Sequence, residues 1–152
     1  MPVFKKLSIA SDHAGFQMKE ALKEYLAGQG YELTDVGTNS VESCDYPVFA
    51  EKAARLAADG QVDAAVIVCG SGIGVSIAAN KVKGIRAVLC SEPLSAKMSR
   101  LHNNANCICM GGRMIGVEMA KEILNVWLNT EFEGGRHQKR IDMLDAVIDN
   151  NK

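Results

Sequence analysis

The chain has 152 residues, and its 17 basic and 18 acidic side chains leave a formal net charge of −1. This length suits one domain that buries roughly 70% of the unfolded chain's surface, and the near-neutral balance excludes a surface built for nucleic acid or an anionic membrane. There is no secretory leader and no apolar run near the ~18 residues of a membrane span, so we expect a cytoplasmic protein.

The five cysteines are an odd number in irregular positions. This pattern fits neither a disulfide framework nor a structural zinc site, so we predict reduced thiols. Because no surface-wide charge is available, any anion that the protein handles must be bound by a local site.

Short β-branched runs alternate with stretches of helical periodicity along the chain. This alternation predicts an α/β fold, a single Rossmann-like three-layer domain over residues 1–152 with a five-stranded parallel sheet. The predicted strands are Lys6 to Ala10, Tyr31 to Val36, Ala64 to Val68, Ile85 to Leu89 and Cys107 to Met110. The predicted helices between and after them are Gly15 to Ala27, Pro47 to Ala58, Gly72 to Ala79, Pro93 to Leu101 and Gly116 to Asn129.

The pattern changes after Trp127. A charged segment with two glycines, Glu131 to Arg140, precedes a last amphipathic helix near Ile141 to Ile148. We expect the tail, residues 131–152, to pack on a partner subunit.

Polar clusters follow the predicted strands. Ligands of an open parallel sheet bind beyond the carboxyl ends of its strands, so one crevice is expected to collect these clusters. They are Ser11 to Gly15, Asp35 to Gly37, Cys69 to Gly74, Ser91 to Pro93 and Gly111 to Arg113.

The glycine run after the third strand is the most informative of these clusters. Its glycines allow backbone N–H groups to point at an anion where a helix begins, and the helix dipole adds positive potential. The run Gly70 to Gly74 is one residue short of a dinucleotide fingerprint and lacks the lysine of a Walker loop.

Cys69 lies between an apolar strand and a helix N-terminus, an environment that favours the thiolate. It is a candidate base or nucleophile, although a cysteine that ends a buried strand can equally be a small core residue. Ser71 can relay a proton or simply cap the helix.

Several other polar side chains have both a functional and a structural interpretation. His102 ends a helix and suits acid–base chemistry or capping, and His13 beside Asp12 suits ligand binding or loop fixation. Arg136 and Arg140 are four residues apart, so they can grip a phosphate or remain solvated. Cys107 and Cys109 share one strand face, where packing is the better interpretation.

Together these segments resemble ribose-5-phosphate isomerase type B and the wider group that includes galactose-6-phosphate and allose-6-phosphate isomerases. The resemblance covers nearly the whole chain, and its many ordered blocks are specific as a set. The blocks are Ser11 to Gly15, Asp45 to Pro47, Cys69 to Gly74, Ile77 to Lys81, Gly84 to Ala87, His102 to Asn106 and Gly134 to His137.

The resemblance implies a role for each matching residue. Cys69 would move the proton between C2 and C1 with help from Ser71, and the backbone of Gly70, Ser71, Gly72, Ile73 and Gly74 would stabilise the enediolate. His102 would open the furanose ring with Asp12 as its helper. The remaining substrate-binding positions are His13, Arg113, Arg136 and Arg140 for the phosphate, Asn103 for the sugar, and Tyr46 for the pocket wall.

The resemblance also implies an enzyme with no redox cofactor and no metal, which acts on a small sugar phosphate. Family members are homodimers or homotetramers whose sites are shared between subunits, so Cys69 and His102 of one site would come from different chains. Cysteine at position 69 favours ribose 5-phosphate, and six-carbon substrates stay open. From the residues alone, a nucleotide-binding module and a thiol-dependent hydrolase or transferase also remain as alternatives.

Overall fold

The computed structural model describes residues 2–150, which form an α/β domain of alternating strands and helices. The strands are β1 (Lys6–Ser11), β2 (Glu32–Asp35), β3 (Ala64–Cys69), β4 (Ala87–Leu89) and β5 (Cys107–Gly111). The helices are α1 (Phe16–Gly28), α2 (Tyr46–Ala58), α3 (Ile73–Asn80), α4 (Pro93–Asn103), α5 (Val117–Leu128) and α6 (Arg136–Ala146), followed by a 3₁₀ turn over Val147–Asn150.

The strands form one parallel sheet in the order β2-β1-β3-β5-β4. The central strand β3 is buried along its whole length, as a strand covered by helices on both faces must be. Its alternate side chains enter two cores: Val66 and Val68 pack with α1, α4 and α5, whereas Ala65 and Ile67 pack with α2 and α3.

The predicted fold class and the five predicted strands are confirmed, with boundaries that differ by one or two residues. Pro47 and Pro93 lie in the first turns of α2 and α4, as predicted.

The predicted start of the last helix was wrong. It begins at Arg136, five residues before Ile141, because the chain turns through consecutive glycines at positions 134 and 135 with positive φ and then enters helical geometry at once.

The tail makes contacts with its own chain. Ile141 is buried, Asp145 accepts two hydrogen bonds from Arg86, and Asp149 pairs with Lys83. Packing of the tail on a partner subunit therefore stays a prediction. Across residues 2–150, we found no helix with the length and apolar character needed to cross a bilayer.

A buried ammonium group holds the end of β2 against α1. Lys19 is fully buried, and its Nζ lies 2.6 Å from Asp35 Oδ2, which also receives Lys23 Nζ at 2.7 Å. Burial alone would raise the pKa of Asp35, but these two hydrogen bonds and a third from the Gly37 N–H keep that pKa below its usual value. Asp35 and Glu20, whose Oε1 lies 3.2 Å from Lys19 Nζ, together compensate the buried charge.

Replacing Asp35→Asn is expected to lower the free energy of unfolding by about 2 kcal/mol, because it removes the closer of the two carboxylates that pair with the buried Lys19 and leaves only Glu20. Since the folded pKa of Asp35 is lowered, its contribution is present above the unfolded pKa near ~4 and fades as the pH falls through the folded value. Urea unfolding at pH 7 and at pH 3 would check this. The matched control is Glu32→Gln, which removes an exposed pair with Lys6 and should cost less than about 0.5 kcal/mol; equal losses would contradict the prediction.

Candidate active site

The loop after β1 lies beside the carboxyl end of β3. The Asp12 N–H donates to the Val68 carbonyl at 3.3 Å, and the Asp12 carboxylate accepts the Gly15 N–H at 3.0 Å through Oδ1. A Cβ at Gly15 would lie 2.6 Å from the Val68 carbonyl oxygen, so the close approach of this loop requires glycine. Asp12 is buried with its second carboxylate oxygen available for another donor.

The turn from β3 into α3 is packed against β5. Gly72 has a φ of +80°, and a Cβ there would lie 2.8 Å from the Met110 backbone. Gly111 is equally restricted, because its Cβ would meet the Ser71 carbonyl at 2.6 Å. The turn is thus fixed by backbone-to-backbone contact.

Cys69 is the last residue of β3 and is 5% exposed. Its Sγ accepts the Gly72 N–H at 3.1 Å, next to the N-terminus of α3. Burial raises the pKa of Cys90 to about 12, and the neighbouring Cys107 thiol together with burial raises that of Cys109. All five cysteines are free thiols.

The remaining walls of this carboxyl-end site come from two other segments. The Tyr46 ring covers Gly74, where an added Cβ would lie 2.5 Å from the ring, and the Arg113 side chain runs over Gly70. Within the turn, the Ser71 hydroxyl accepts the Ile73 N–H at 3.2 Å, but the N-cap residue of α3 is Gly72, so Ser71 is not its side-chain cap.

His13 is oriented by the loop before α2. The Cys44 N–H donates to His13 Nδ1 at 3.2 Å. An Nδ1 atom that accepts a hydrogen bond carries no proton, so neutral His13 has its proton on Nε2. His13 can therefore present an N–H donor to a ligand without breaking its contact with the loop.

His102 and Asn103 form the last turn of α4, at the opposite end of the sheet. Arg86, directly before β4, donates to the carbonyls of Asn103 and Asn104 at 2.9 and 3.1 Å. The buried Arg100 donates to the Asn104 side chain, to Ala105 and to the Thr130 carbonyl. Burial, with a smaller effect of the Arg86 charge, lowers the pKa of Arg100 to about 10, so it stays charged at neutral pH.

The start of the tail packs beside His102. The His137 ring is stacked on the His102 ring with a centroid separation of 4.4 Å and an interplanar angle of 16°. Glu133 Oε2 lies 3.1 Å from His137 Nε2 and 3.9 Å from His102 Nε2. Arg136 and Arg140 are exposed in the first turns of α6, four residues apart on one face as predicted.

The predicted site residues thus divide into two groups at opposite ends of one chain. The carboxyl-end group contains Asp12, His13, Tyr46, Arg113 and the segment from Cys69 to Gly74, and the amino-end group contains His102, Asn103, Arg136 and Arg140. Cys69 is in register with Gly111, while the loop after His102 leads into Cys107, four residues earlier on the neighbouring strand. The two ends are therefore at least about 13 Å apart along the strands.

Glu133 and His137 were missed as site residues by the sequence analysis. The sequence signal that could have identified them is their four-residue spacing, with a carboxylate before the helix and an imidazole in its first turn. Together with His102 they offer three metal-ligand side chains within 4.8 Å. The two rings are nearly parallel, however, so their nitrogen lone pairs run side by side and do not converge on one ion as metal binding requires.

Comparisons with known proteins agree on one family. A family model described as Ribose/Galactose Isomerase matches residues 7–144. The Escherichia coli protein named ribose-5-phosphate isomerase B is 47% identical over 143 residues, which cover 94% of this chain and 96% of the relative. A solved structure of ribose-5-phosphate isomerase B from Clostridium thermocellum superposes with a TM-score of 0.95 at 42% identity and covers 97% of this chain and 99% of that one.

A further relative carries a different substrate in its name. D-erythrulose-4-phosphate isomerase 2 from Mycolicibacterium smegmatis is 44% identical over 131 residues, which cover 84% of this chain and 86% of the relative. The family thus includes members named for sugars of different length.

Gly72→Ala is expected to destabilise the protein far more than Gly30→Ala. Both residues have positive φ, but a Cβ at Gly72 also strikes the Met110 backbone, whereas a Cβ at Gly30 meets nothing within 4 Å. Left-handed geometry costs both variants about 1 to 2 kcal/mol, and the clash should add about 2 kcal/mol at Gly72 alone. Urea unfolding of the two variants measures the difference, and equal losses would show that the turn yields to the added methyl group.

Proposed function

Because the chain belongs to the ribose/galactose isomerase family, we propose that it interconverts D-ribose 5-phosphate and D-ribulose 5-phosphate by cysteine-mediated proton transfer. The observation that carries this proposal is the Cys69 thiol at the start of α3, with a backbone N–H donated to its sulfur. A thiolate held there has the basicity needed to take a proton from carbon and return it.

The proton moves between two adjacent carbons of the open-chain sugar, C2 and C1. Cys69 removes the proton from C2 of the aldose while the C1 oxygen gains a proton, which gives the enediol. The C2 hydroxyl then loses its proton as Cys69 returns the first proton to C1, which gives the ketose. Within the β3–α3 turn, the Gly72 N–H donates to Cys69 and the Ile73 N–H to Ser71. The N–H groups of Gly70, Ser71 and Gly74 would therefore stabilise the negative oxygen. Ser71 lies on the same turn and would assist the transfer.

Ring opening and phosphate binding use the other residues. Ribose 5-phosphate is a furanose in solution, so the C1–O4 bond must break before C2 can be deprotonated. His102 would move the protons of this step with Asp12 as its helper. His13, Arg113, Arg136 and Arg140 supply donors for the phosphate, and Asn103 and Tyr46 contact the sugar.

Two chains are needed to complete such a site. Cys69 and His102 lie at opposite ends of the sheet in one chain, so we propose a homodimer in which the amino-end group of one subunit meets the carboxyl-end group of the other. Exposed apolar side chains at one sheet edge support this proposal. They are Ile73 and Ile77 of α3, Leu89 of the edge strand β4, and Leu94 and Met98 of α4.

The tail offers a second apolar surface for the partner. Its Ile141 is buried in its own chain, while Met143, Leu144 and Val147 are exposed. We propose that these three residues pack on the neighbouring subunit, which accounts for apolar residues on both sides of a short helix.

Cys69→Ala is expected to lower isomerisation of ribose 5-phosphate by at least about 100-fold, because the proton-transfer base is lost. The measurement is turnover of a panel that contains ribose 5-phosphate, erythrose 4-phosphate, allose 6-phosphate and galactose 6-phosphate, by protein treated with a chelator. Cys109→Ala is the matched control, since it removes a buried thiol from the same face of the sheet. Full activity of Cys69→Ala would contradict the mechanism, and a covalent adduct trapped on Cys69 would point to a thiol nucleophile.

Mixing Cys69→Ala with His102→Ala should restore activity that neither protein has alone. In a mixed dimer one site receives both substitutions and the other receives neither, so random exchange should recover about a quarter of the wild-type rate. Mass spectrometry of the intact dimers would confirm the exchange. Absence of activity despite exchange would place both residues of a site within one chain.

A further inference from the structure

Glu133 lies between two stacked imidazoles at the amino-end group and has no role in the proposed mechanism. We propose that Glu133 is a positioning residue which holds the stacked rings of His102 and His137 and keeps one shared proton on that pair for ring opening. This inference rests on the proposed function, because it assigns the ring-opening step to His102.

The contact geometry puts one carboxylate oxygen beside both rings. Glu133 Oε2 lies 3.1 Å from His137 Nε2 and 3.9 Å from His102 Nε2, and the rings are stacked at 4.4 Å. A proton on either Nε2 atom is therefore compensated by the same negative charge. Two imidazolium rings in contact would repel each other, so the pair favours a single proton.

The burial of His137 strengthens this assignment. Its Nε2 atom is inaccessible to solvent and has no well-aligned hydrogen-bond partner among residues 2–150, although Glu133 is within hydrogen-bond distance. A buried ring nitrogen without a partner is costly. The half-exposed Glu133 carboxylate can relieve that cost by a small rotation toward the ring.

The backbone fixes Glu133 where it can serve both rings. Its N–H donates to the Leu101 carbonyl at 3.0 Å, which ties it to the residue before His102. The turn at Gly134 and Gly135 follows, and the His137 N–H donates to the Gly134 carbonyl at 3.1 Å. Glu133 is thus held on one side by α4 and on the other by the first turn of α6.

The other charged groups around the pair are arginines and the exposed carboxylate of Glu131. Arg86 is paired with Asp145 in a two-point contact, and Arg100 donates to uncharged acceptors on α4 and in the following loops. Arg136 and Arg140 on α6 and Glu131 before it are exposed. The arginines disfavour a protonated histidine, and Glu133 is the carboxylate in contact with the rings that offsets them.

A single proton on the pair suits the chemistry of ring opening. As the C1–O4 bond breaks, O4 gains a proton, the O1 hydroxyl loses one, and the C1 carbonyl forms. If His102 is protonated at the start, it gives its proton to O4 and then takes the proton from O1. It therefore ends the step in the protonation state in which it began. Without Glu133 the starting proton would be scarcer at neutral pH.

The three histidines of the chain make the test direct, because their ring protons can be assigned by substitution and followed by NMR. In Glu133→Gln, the titration midpoints of the His102 and His137 rings should fall relative to the wild type, because a negative neighbour is removed. Glu131→Gln, which alters an exposed carboxylate two residues earlier, should leave both midpoints unchanged.

A substrate that cannot form a five-membered ring gives an independent measurement. Erythrose 4-phosphate carries its phosphate on O4 and cannot close such a ring, so its isomerisation needs no ring opening. Glu133→Gln should lower kcat/KM for ribose 5-phosphate about tenfold near pH 7 and should lower kcat/KM for erythrose 4-phosphate far less. Glu133→Asp should restore part of the loss.

Unchanged midpoints in Glu133→Gln would overturn the inference. Equal losses for ribose 5-phosphate and erythrose 4-phosphate would also overturn it, since that pattern marks a structural defect. A wild-type protein that isomerises no sugar phosphate would refute the proposed function, while the NMR titration would still decide whether Glu133 controls the proton on the pair.

Discussion

In a parallel sheet, each helix must carry the chain back from the carboxyl end of one strand to the amino end of the next. This constraint places the functional residues of one chain at two opposite ends of the sheet. Residues that follow strands, such as Cys69 and Asp12, collect at one end. Residues that finish helices, such as His102, collect at the other. No rearrangement within the domain brings the two ends together without unpairing strands. A site that uses both groups therefore needs a second copy of this sugar-phosphate isomerase, and the exposed apolar edge at β4 is consistent with that need.

The amino-end group depends on two arginines with different environments. Arg86 joins α6 to the end of α4, since it contacts Asp145 and two backbone carbonyls. Arg100 is buried against the rings of Phe4 and Trp127 and is satisfied by carbonyl and amide oxygens, with no carboxylate partner among residues 2–150. Such a guanidinium is favoured only where several acceptors are already in place, so its hydrogen bonds rigidify the loop that follows Asn103. The positions of the stacked histidine rings therefore depend on the contacts of these two arginines.

At the carboxyl end, rigidity comes from close contacts between backbones. Gly15, Gly72 and Gly111 each occupy a place where a Cβ would strike a neighbouring chain segment. These contacts hold the β3–α3 turn, and with it the Gly72 N–H that reaches the Cys69 sulfur. A thiolate base benefits from donors that are fixed before the substrate arrives, because no reorganisation is needed during the reaction. The buried Lys19–Asp35 pair similarly anchors the neighbouring loop through Gly37.

The sequence alone determined the fold class, the strands and most helix boundaries, because hydrophobic periodicity and the two prolines are local signals. It also identified Cys69 and the glycine run, because a cysteine and glycines between a strand and the start of a helix indicate a reactive thiol and an anion-binding turn. Only the tertiary structure decided that His102 and Arg136 lie far from Cys69 in one chain, and that Glu133 and His137 meet His102. Those relations join segments about 30 residues apart in sequence or more, and they depend on how helices pack across the sheet, which no local pattern encodes. The early start of α6 was missed for the same reason, because consecutive glycines resemble a loop until the packed helix fixes them.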